Sequence, residues 1–342
     1  MPALDLKTLI GVSTFKKYLT QLNKALEASL EDADPIIREA AIRHVLAPSK
    51  RLRPAMTFAV VHALGKPISK KVITAGCSIE LAHISSLIHD DIIDNASSRR
   101  GVPTINTQEG NSQAIIIGDY LLAEACVQAA MVNAETSRIV ATAVARICDG
   151  QSREVADQYN IDRDGELMLR SIRGKTAELF AAACRIGGLC AGIPAKQLDA
   201  LSSFGEYFGM AFQLIDDVLD FVSSDELLGK PIGNDIVEGV YTMPILLALH
   251  GPEQIAIRAA LEERKPPTST FTELLIREYA IGKTIEVARQ FNARAMDALS
   301  PLTAKGRDLS KLAKLPEAYL DWSLSALVAP EYQSVMSIST TS

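Results

Sequence analysis

Two stretches of this chain carry aspartates at one repeated spacing. Asp90, Asp91 and Asp94 lie in LIHDDIIDNASSRRGVPT, residues 87–104, and Asp216, Asp217 and Asp220 lie in FQLIDDVLDF, residues 212–221. On a helix, the first and last of each triplet stack one turn apart on one face, with the middle one beside the first. Carboxylates this close repel one another unless a cation neutralises them. An all-oxygen aspartate set suits a hard divalent ion, and Mg²⁺ keeps several waters while bridging one or two carboxylates to a phosphate. Arg99 and Arg100, a turn or so later, would take that phosphate in fork geometry. One such cluster alone reads equally well as a solvated acidic helix end before a basic loop. A second copy set among Phe212, Leu214, Ile215, Val218, Leu219 and Phe221 does not, because a solvated face is polar over several turns. Six carboxylates aimed at one cavity make sense if metal ions and a diphosphate occupy it.

The elements that must position these groups read as helices almost throughout. Apolar periodicity predicts helices over 9–33, 35–46, 55–64, 72–94, 111–133, 137–159 and 164–191, then 195–222, 241–250, 253–263, 270–278, 281–299 and 315–327. Alternating β-branched runs are scarce. The stretch 95–108 reads as a loop, and PSKRLRPAM, residues 48–56, reads as a basic turn entering a helix with Pro54 in its first turn. No boundary can be drawn between motifs that must meet, so residues 1–330 read as one all-α domain, with a mobile C-terminal tail from 331 to 342.

Composition narrows the partners. The chain has 342 residues, 48% of them hydrophobic and 5% aromatic, enough for a large aliphatic core. A net charge of −6 lacks the basic stripe of a nucleic-acid binder. Five cysteines, without a CxxC pair, read as reduced thiols in a cytoplasmic protein. The N-terminus lacks a signal-peptide pattern. The most apolar window, 114–132, is broken by Asp119 and Glu124, so no run of membrane-spanning length is expected.

Taken in order, SKRLRP (49–54), HDDIID, RRGVPT, GKTAELF (174–180), FQLIDDVLD and GKPIGNDIVEG (229–239) resemble the trans-isoprenyl diphosphate synthases, also called polyprenyl synthetases. The resemblance implies an all-α, isoprenoid synthase-type helical bundle around a deep central cavity, acting as a homodimer. It implies head-to-tail condensation of isopentenyl diphosphate onto an allylic diphosphate, with Mg²⁺ as cofactor at three ions per active site. Asp90, Asp94 and Asp216 would bind the metal, with Asp91, Asp217 and Asp220 in support. Arg99, Lys175 and Lys230 match contacts to the allylic diphosphate. Lys50, Arg53, His83 and Arg100 match the isopentenyl diphosphate pocket, and Thr176 and Gln213 match polar groups beside the developing carbocation. Val240 departs from the family, where lysine is frequent. Valine here resembles the long-chain bacterial members and leaves Lys230 as the more important cation.

Elementary chemistry asks for the same groups. Breaking an allylic C–O bond requires the charge of the leaving diphosphate to be absorbed. The cation must then meet an alkene in a dry, apolar cavity. A second diphosphate needs a metal-free basic pocket, which Lys50, Arg51 and Arg53 ahead of a helix could supply. The released diphosphate can take the proton. Taken alone, His83 and Gln213 would be satisfied core polar groups, and His44, His62, His89, His250 and Trp322 read as structural.

Small residues set the expected product. Reading back from Asp90, Ser86, Ala82, Ser78 and Ala75 form a stripe, with Ser85 beside Ser86. Short-chain members of the family floor the cavity with a bulky aromatic where Ser85 and Ser86 stand. Eleven residues give roughly 16 Å of passage, room for about three or four more prenyl units. The expected product is an all-trans polyprenyl diphosphate of C20 or longer, C30–C40 by this length, of the kind used for quinone side chains. The stripe could instead serve close helix packing, and the opposite helix near 115–122 could close the passage early. A geranylgeranyl (C20) synthase, a subunit of a heteromeric synthase, a class I terpene cyclase and a head-to-head synthase are the rival readings. The last two do not explain SKRLRP or GKPIGND. Product release could involve transient contact with a membrane surface.

Overall fold

The structure is a computed structural model and describes residues 9–99, 101–228, 232–264 and 269–333. Its secondary structure is almost wholly helical. In chain order run α1 (Val12–Ala28), α2 (Pro35–Val45), α3 (Leu52–Ala63), α4 (Lys70–Ile93), α5 (Ile105–Glu109), α6 (Asn111–Val132), α7 (Ala134–Ala156) and α8 (Gly165–Ile172). A π-helical stretch, Arg173–Ala177, leads into α9 (Glu178–Cys190), followed by α10 (Ala195–Val222). Then come α11 (Asp225–Leu228), α12 (Asn234–Glu238), α13 (Met243–Ala248), α14 (Gln254–Glu262), α15 (Ser269–Arg277), α16 (Ala280–Ala298), α17 (Ser300–Thr303), α18 (Ser310–Ala313) and α19 (Leu315–Ala326). The chain divides into two units built from separate stretches: residues 1–147, 178–206 and 296–315 form one, and 148–177, 207–295 and 316–342 the other.

In the first unit α4 is the central element. It packs along α6 and also against α1, α3 and α9. Buried on most of its circumference, it lacks the polar stripe of a surface helix. Close approach depends on glycines at two points. A Cβ on Gly76 would lie 2.8 Å from the Phe58 ring, and one on Gly118 of α6 would lie 2.2 Å from the His89 ring. The helix stops at Asp94, after which Asn95 turns left-handed at φ 50°. A two-residue antiparallel ladder follows, pairing Ser98 with Pro103 and Arg99 with Val102. The sequence predicts only a loop from 95 to 108, so this ladder and α5 are additions; pieces this short leave no periodic signal.

The second unit has its own core around the C-terminal half of α10, where Met210, Leu214, Ile215, Val218 and Phe221 are buried with Ile245, Phe271 and Ile285. The end of α10 is held from two directions. Ala329 N–H donates to Val222 O at 2.8 Å, and Gly233 N–H donates to Asp220 O at 3.2 Å. Both take carbonyls that a helix C-terminus otherwise leaves over.

Most predicted helices stand within a few residues of their expected bounds, and 195–222 matches at both ends. The continuous helix expected over 164–191 is instead broken by the π-helical stretch. The expected absence of membrane-length apolar segments is corrected: α4 and α6 are both long and apolar enough to cross a membrane. Single charges such as Asp119 and Glu124 interrupt a run of letters without lowering its mean hydropathy enough. In α4, 78% of that window is buried inside the protein, as in a core helix; in α6, 33% is. Apart from residues 331–333, the predicted tail lies outside the described residues.

Candidate active site

The first aspartate triplet occupies the last turn of α4 and its C-cap. Asp94 N–H donates to Asp90 O at 2.8 Å, which fixes these two residues one turn apart. The last turn of α4 contains no basic residue. Carboxylates at the negative end of a helix dipole repel that end as well as each other, so the position calls for external positive charge. Part of it comes from Arg99, whose Nε donates to Oδ1 of the buried Asp91. The short ladder thus carries Arg99 to the cluster, while Asn106 donates to the Asp91 carbonyl at 3.2 Å.

The basic turn before α3 divides its labour. Arg53 Nη1 lies 3.0 Å from His83 Nε2, and its guanidinium stacks 4.7 Å from the centre of the Phe180 ring. Guanidinium only donates, so Nε2 is the acceptor and the imidazole proton sits on Nδ1. Lys50, three residues before Arg53, is exposed. Arg51 corrects the sequence reading. It is buried, left-handed at φ 47°, and donates to Glu80 Oε1 at 2.7 Å and to the Val45 carbonyl. It braces the turn and does not face a substrate.

In the second unit, Asp216, Asp217 and Asp220 lie in the last two turns of α10, whose final turn also lacks a basic residue. Asp217 and Asp220 are buried and Asp216 half-buried. Thr176 Oγ1 donates to Gln213 Oε1 at 2.8 Å, and Gln213 Nε2 donates to Asp217 Oδ1 at 2.9 Å. Thr176, Gln213 and Asp217 therefore form one polar chain in apolar surroundings. Lys175 donates to Glu154 Oε1 at 2.5 Å. Both Lys175 and Thr176 stand on the π-helical stretch, which leans on α7 at Gly150; a Cβ there would lie 2.3 Å from the Lys175 backbone nitrogen. π-Bulges of this kind recur where a helix must aim side chains off its regular path.

The residues fit a divalent cation. Burial pushes the Asp217 carboxyl well above the usual carboxylate range, and the charges of Asp235, Asp216 and Glu154 push it further, against the opposing Gln213 hydrogen bond. Its Oδ2 is buried and meets no hydrogen-bond donor among the described residues. Burial and the neighbouring acids thus disfavour a negative charge on this carboxyl unless a cation offsets it. No three His, Cys, Asp or Glu side chains among the described residues converge on one metal-sized point. An ion held here would draw its remaining ligands from phosphate and water.

The small-residue stripe is not uniformly buried. Ser85 is buried, and its Oγ donates to Gly118 O at 2.8 Å, so it sits in the contact of α4 with α6. Ala82, Ser78 and Ala75 are buried too, whereas Ser86 is half-buried, its hydroxyl turned back to His83 O at 2.8 Å. Arg100 and Lys230 lie outside the described residues. Glu154 was missed in the sequence because a single acid in an amphipathic helix looks like any surface carboxylate; only the π-helical stretch brings Lys175 to it.

Three comparisons bear on this geometry. The profile of the Polyprenyl synthetase family matches residues 34–276. A nonaprenyl diphosphate synthase of Mycobacterium tuberculosis is 34% identical over 95% of this chain and 94% of its own length. Component 2 of the heptaprenyl diphosphate synthase of Bacillus subtilis is 32% identical over 91% and 90%. Among solved structures, a polyprenyl synthase from Caulobacter crescentus, complexed with calcium and isoprenyl diphosphate, aligns with a TM-score of 0.83 at 28% identity, covering 94% of this chain and 98% of that one. With two aspartate triplets closing α4 and α10, and a profile match through both, the chain belongs to the polyprenyl synthetase family of prenyltransferases.

Proposed function

We propose that the chain condenses isopentenyl diphosphate head-to-tail onto an allylic diphosphate, releasing diphosphate and lengthening an all-trans polyprenyl chain to C30–C40. The observation that carries this reading is the pair of aspartate triplets, each at a helix C-terminus without a basic residue in its last turn. Asp90, Asp94 and Asp216 would hold Mg²⁺, three ions per site in the full assembly, with Asp91, Asp217 and Asp220 supporting them. Bound Mg²⁺ supplies the Lewis acidity that draws charge onto the leaving diphosphate. The calcium and isoprenyl diphosphate in the Caulobacter relative support this choice of ligands.

The chain's own groups divide the remaining work. Arg99 and Lys175, with Lys230 and Arg100 by resemblance, orient diphosphate oxygens. Arg53, Lys50 and His83 take the second diphosphate, and Arg51 holds their turn in place. Thr176 and Gln213 present oxygens to positive charge as it develops on the allyl group. Ala82 and Ser86, with Ser85 at the helix contact, leave the path beneath Asp90 without an aromatic floor.

A homodimer is the proposed assembly. Ile116, Val127 and Met131 fall on one side of α6 at 50%, 45% and 69% exposure, an apolar strip that a second copy would cover. We place the reaction in the cytoplasm, in keeping with five free thiols, with the product passing to a membrane surface. The Bacillus relative is named as one component of its synthase, which favours a heteromeric enzyme as the second reading. The test is to incubate the purified chain with Mg²⁺, labelled isopentenyl diphosphate and allylic primers of increasing length, then size the lipids. Products of C30–C40 from the chain alone support the main reading. Activity that appears only with a captured second subunit supports the alternative, and products ending at C20 overturn the proposed length.

A further inference from the structure

Tyr159, three residues beyond α7, holds φ at 60°, a region that bulky L-residues rarely enter. Such a conformation persists only where its surroundings impose it. Here the hydrogen bonds donated by the residue's N–H and hydroxyl both go to one place, the short segment after the second aspartate triplet. Tyr159 N–H donates to Gly239 O at 2.8 Å, and its Oη donates to Val237 O at 2.9 Å. A Cβ on Gly239 would lie 2.6 Å from the Tyr159 ring, so only glycine lets the backbone rest on it. The Arg264 guanidinium stacks on the same ring, 4.1 Å from its centre.

The segment needs such a support. Its helix, α12, has five residues, too few to hold itself. Val237 and Gly239 offer carbonyls from the end of that helix, which would otherwise go unused. Asp235 lies on the same helix, and its charge bears on the buried Asp217. Nearby, the buried Arg163 donates to Tyr241 O at 3.4 Å and pairs with Asp157 at 3.1 Å, fixing the far end of the segment to the same stretch of chain.

We propose that Tyr159 is a positioning residue that latches residues 232–241 and so holds Asp235 beside the second aspartate triplet, setting the affinity for the allylic diphosphate and its metal. The catalytic half of this proposal rests on the function proposed above; the latch itself does not. Two variants separate the contacts: Tyr159→Phe removes only the hydroxyl, and Tyr159→Gly keeps the left-handed backbone but removes the ring.

Hydrogen exchange on the full chain, without substrate, reads the latch directly. Peptides covering 232–241 should exchange about fivefold faster in Tyr159→Phe, the worth of one net hydrogen bond, and faster still in Tyr159→Gly. Steady-state kinetics read its consequence. For Tyr159→Phe, the KM for the allylic diphosphate and the Mg²⁺ concentration for half-activation should each rise about fivefold, with kcat and the KM for isopentenyl diphosphate within about twofold of wild type. Unchanged exchange in Tyr159→Gly overturns the latch. Faster exchange with an unmoved allylic KM, or with both KM values raised alike, overturns its role in positioning. An inactive wild type would count against the proposed reaction, while exchange would still decide the latch.

Discussion

Gln213 and Asp217 stand one turn apart on α10, and the Gln213 amide nitrogen donates to Asp217 Oδ1 at 2.9 Å. The amide carbonyl accepts from Thr176 at 2.8 Å, which fixes which way the amide points. The side chain expected beside the carbocation is thereby oriented by the second aspartate triplet, for which a metal-supporting role is proposed. Replacing Gln213 with leucine removes a hydrogen bond that favours the charged form of Asp217. The cost should be about 1–3 kcal/mol, or roughly 5- to 150-fold in kcat/KM for the allylic substrate. Steady-state rates at saturating Mg²⁺ measure it, and a loss below about twofold would detach Gln213 from the chemistry.

Arg51 and Glu80 form a buried pair at 2.7 Å, with both side chains almost fully enclosed. Truncating either partner strands a charge in the core. Arg51→Met should lower unfolding free energy by about 3–5 kcal/mol, and the Arg51→Met, Glu80→Met double variant should recover most of that loss. Urea denaturation of the two single variants and the double one completes the cycle. Additive losses would show that the two side chains do not act as a pair.

Neighbouring serines on α4 should answer differently to the same insertion. Ser85 is bonded to the α6 backbone at Gly118, so Ser85→Phe overpacks a helix contact and should cost at least about 1–3 kcal/mol of stability. Ser86 is half-buried with its hydroxyl turned back on its own helix. Ser86→Phe should instead keep the fold and shorten the product ladder. Thermal unfolding and lipid sizing on the two variants distinguish them, and an unchanged ladder in Ser86→Phe removes Ser86 from length control.

The thiols give a check that does not depend on activity. Cys77 is buried, and burial with the charges of Glu124 and Glu80 pushes its pKa up to about 12; burial likewise raises that of Cys184. Neither forms thiolate near neutral pH, and raising the pH from 7 to 9 should not make them react while the fold holds. Exposed Cys148 should be alkylated first. Mass mapping after brief treatment with iodoacetamide reads the order, and early labelling of Cys77 or Cys184 would contradict this packing.

How far the letters alone reach depends on the length over which a signal repeats. The long helices were legible because apolar periodicity persists for many turns, and α10 was bounded correctly from Ala195 to Val222. The aspartate triplets were legible because their spacing repeats. Short-range geometry was not. The π-helical stretch at 173–177 changes which face Lys175 presents, yet its sequence continues an ordinary helical pattern. Arg51 looked like a third substrate cation because it stands between Lys50 and Arg53. Its left-handed backbone turns it into the core toward Glu80, a partner 29 residues away that spacing cannot reveal. Ser85 illustrates the same limit: whether a small residue opens a passage or admits a neighbouring helix depends on Gly118, and the two outcomes leave the same letter.

The proposed function requires that both aspartate triplets bind one metal–diphosphate unit. Titration calorimetry with a non-ionising allylic thiodiphosphate, with and without Mg²⁺, tests it on wild type, Asp90→Asn, Asp216→Asn and the double variant. The expected result is strong mutual enhancement of metal and analogue binding in wild type, reduced at least about tenfold by either substitution and no further by both together. Wild-type affinity in either single variant, or losses that simply multiply in the double one, would show that the two triplets do not share a ligand.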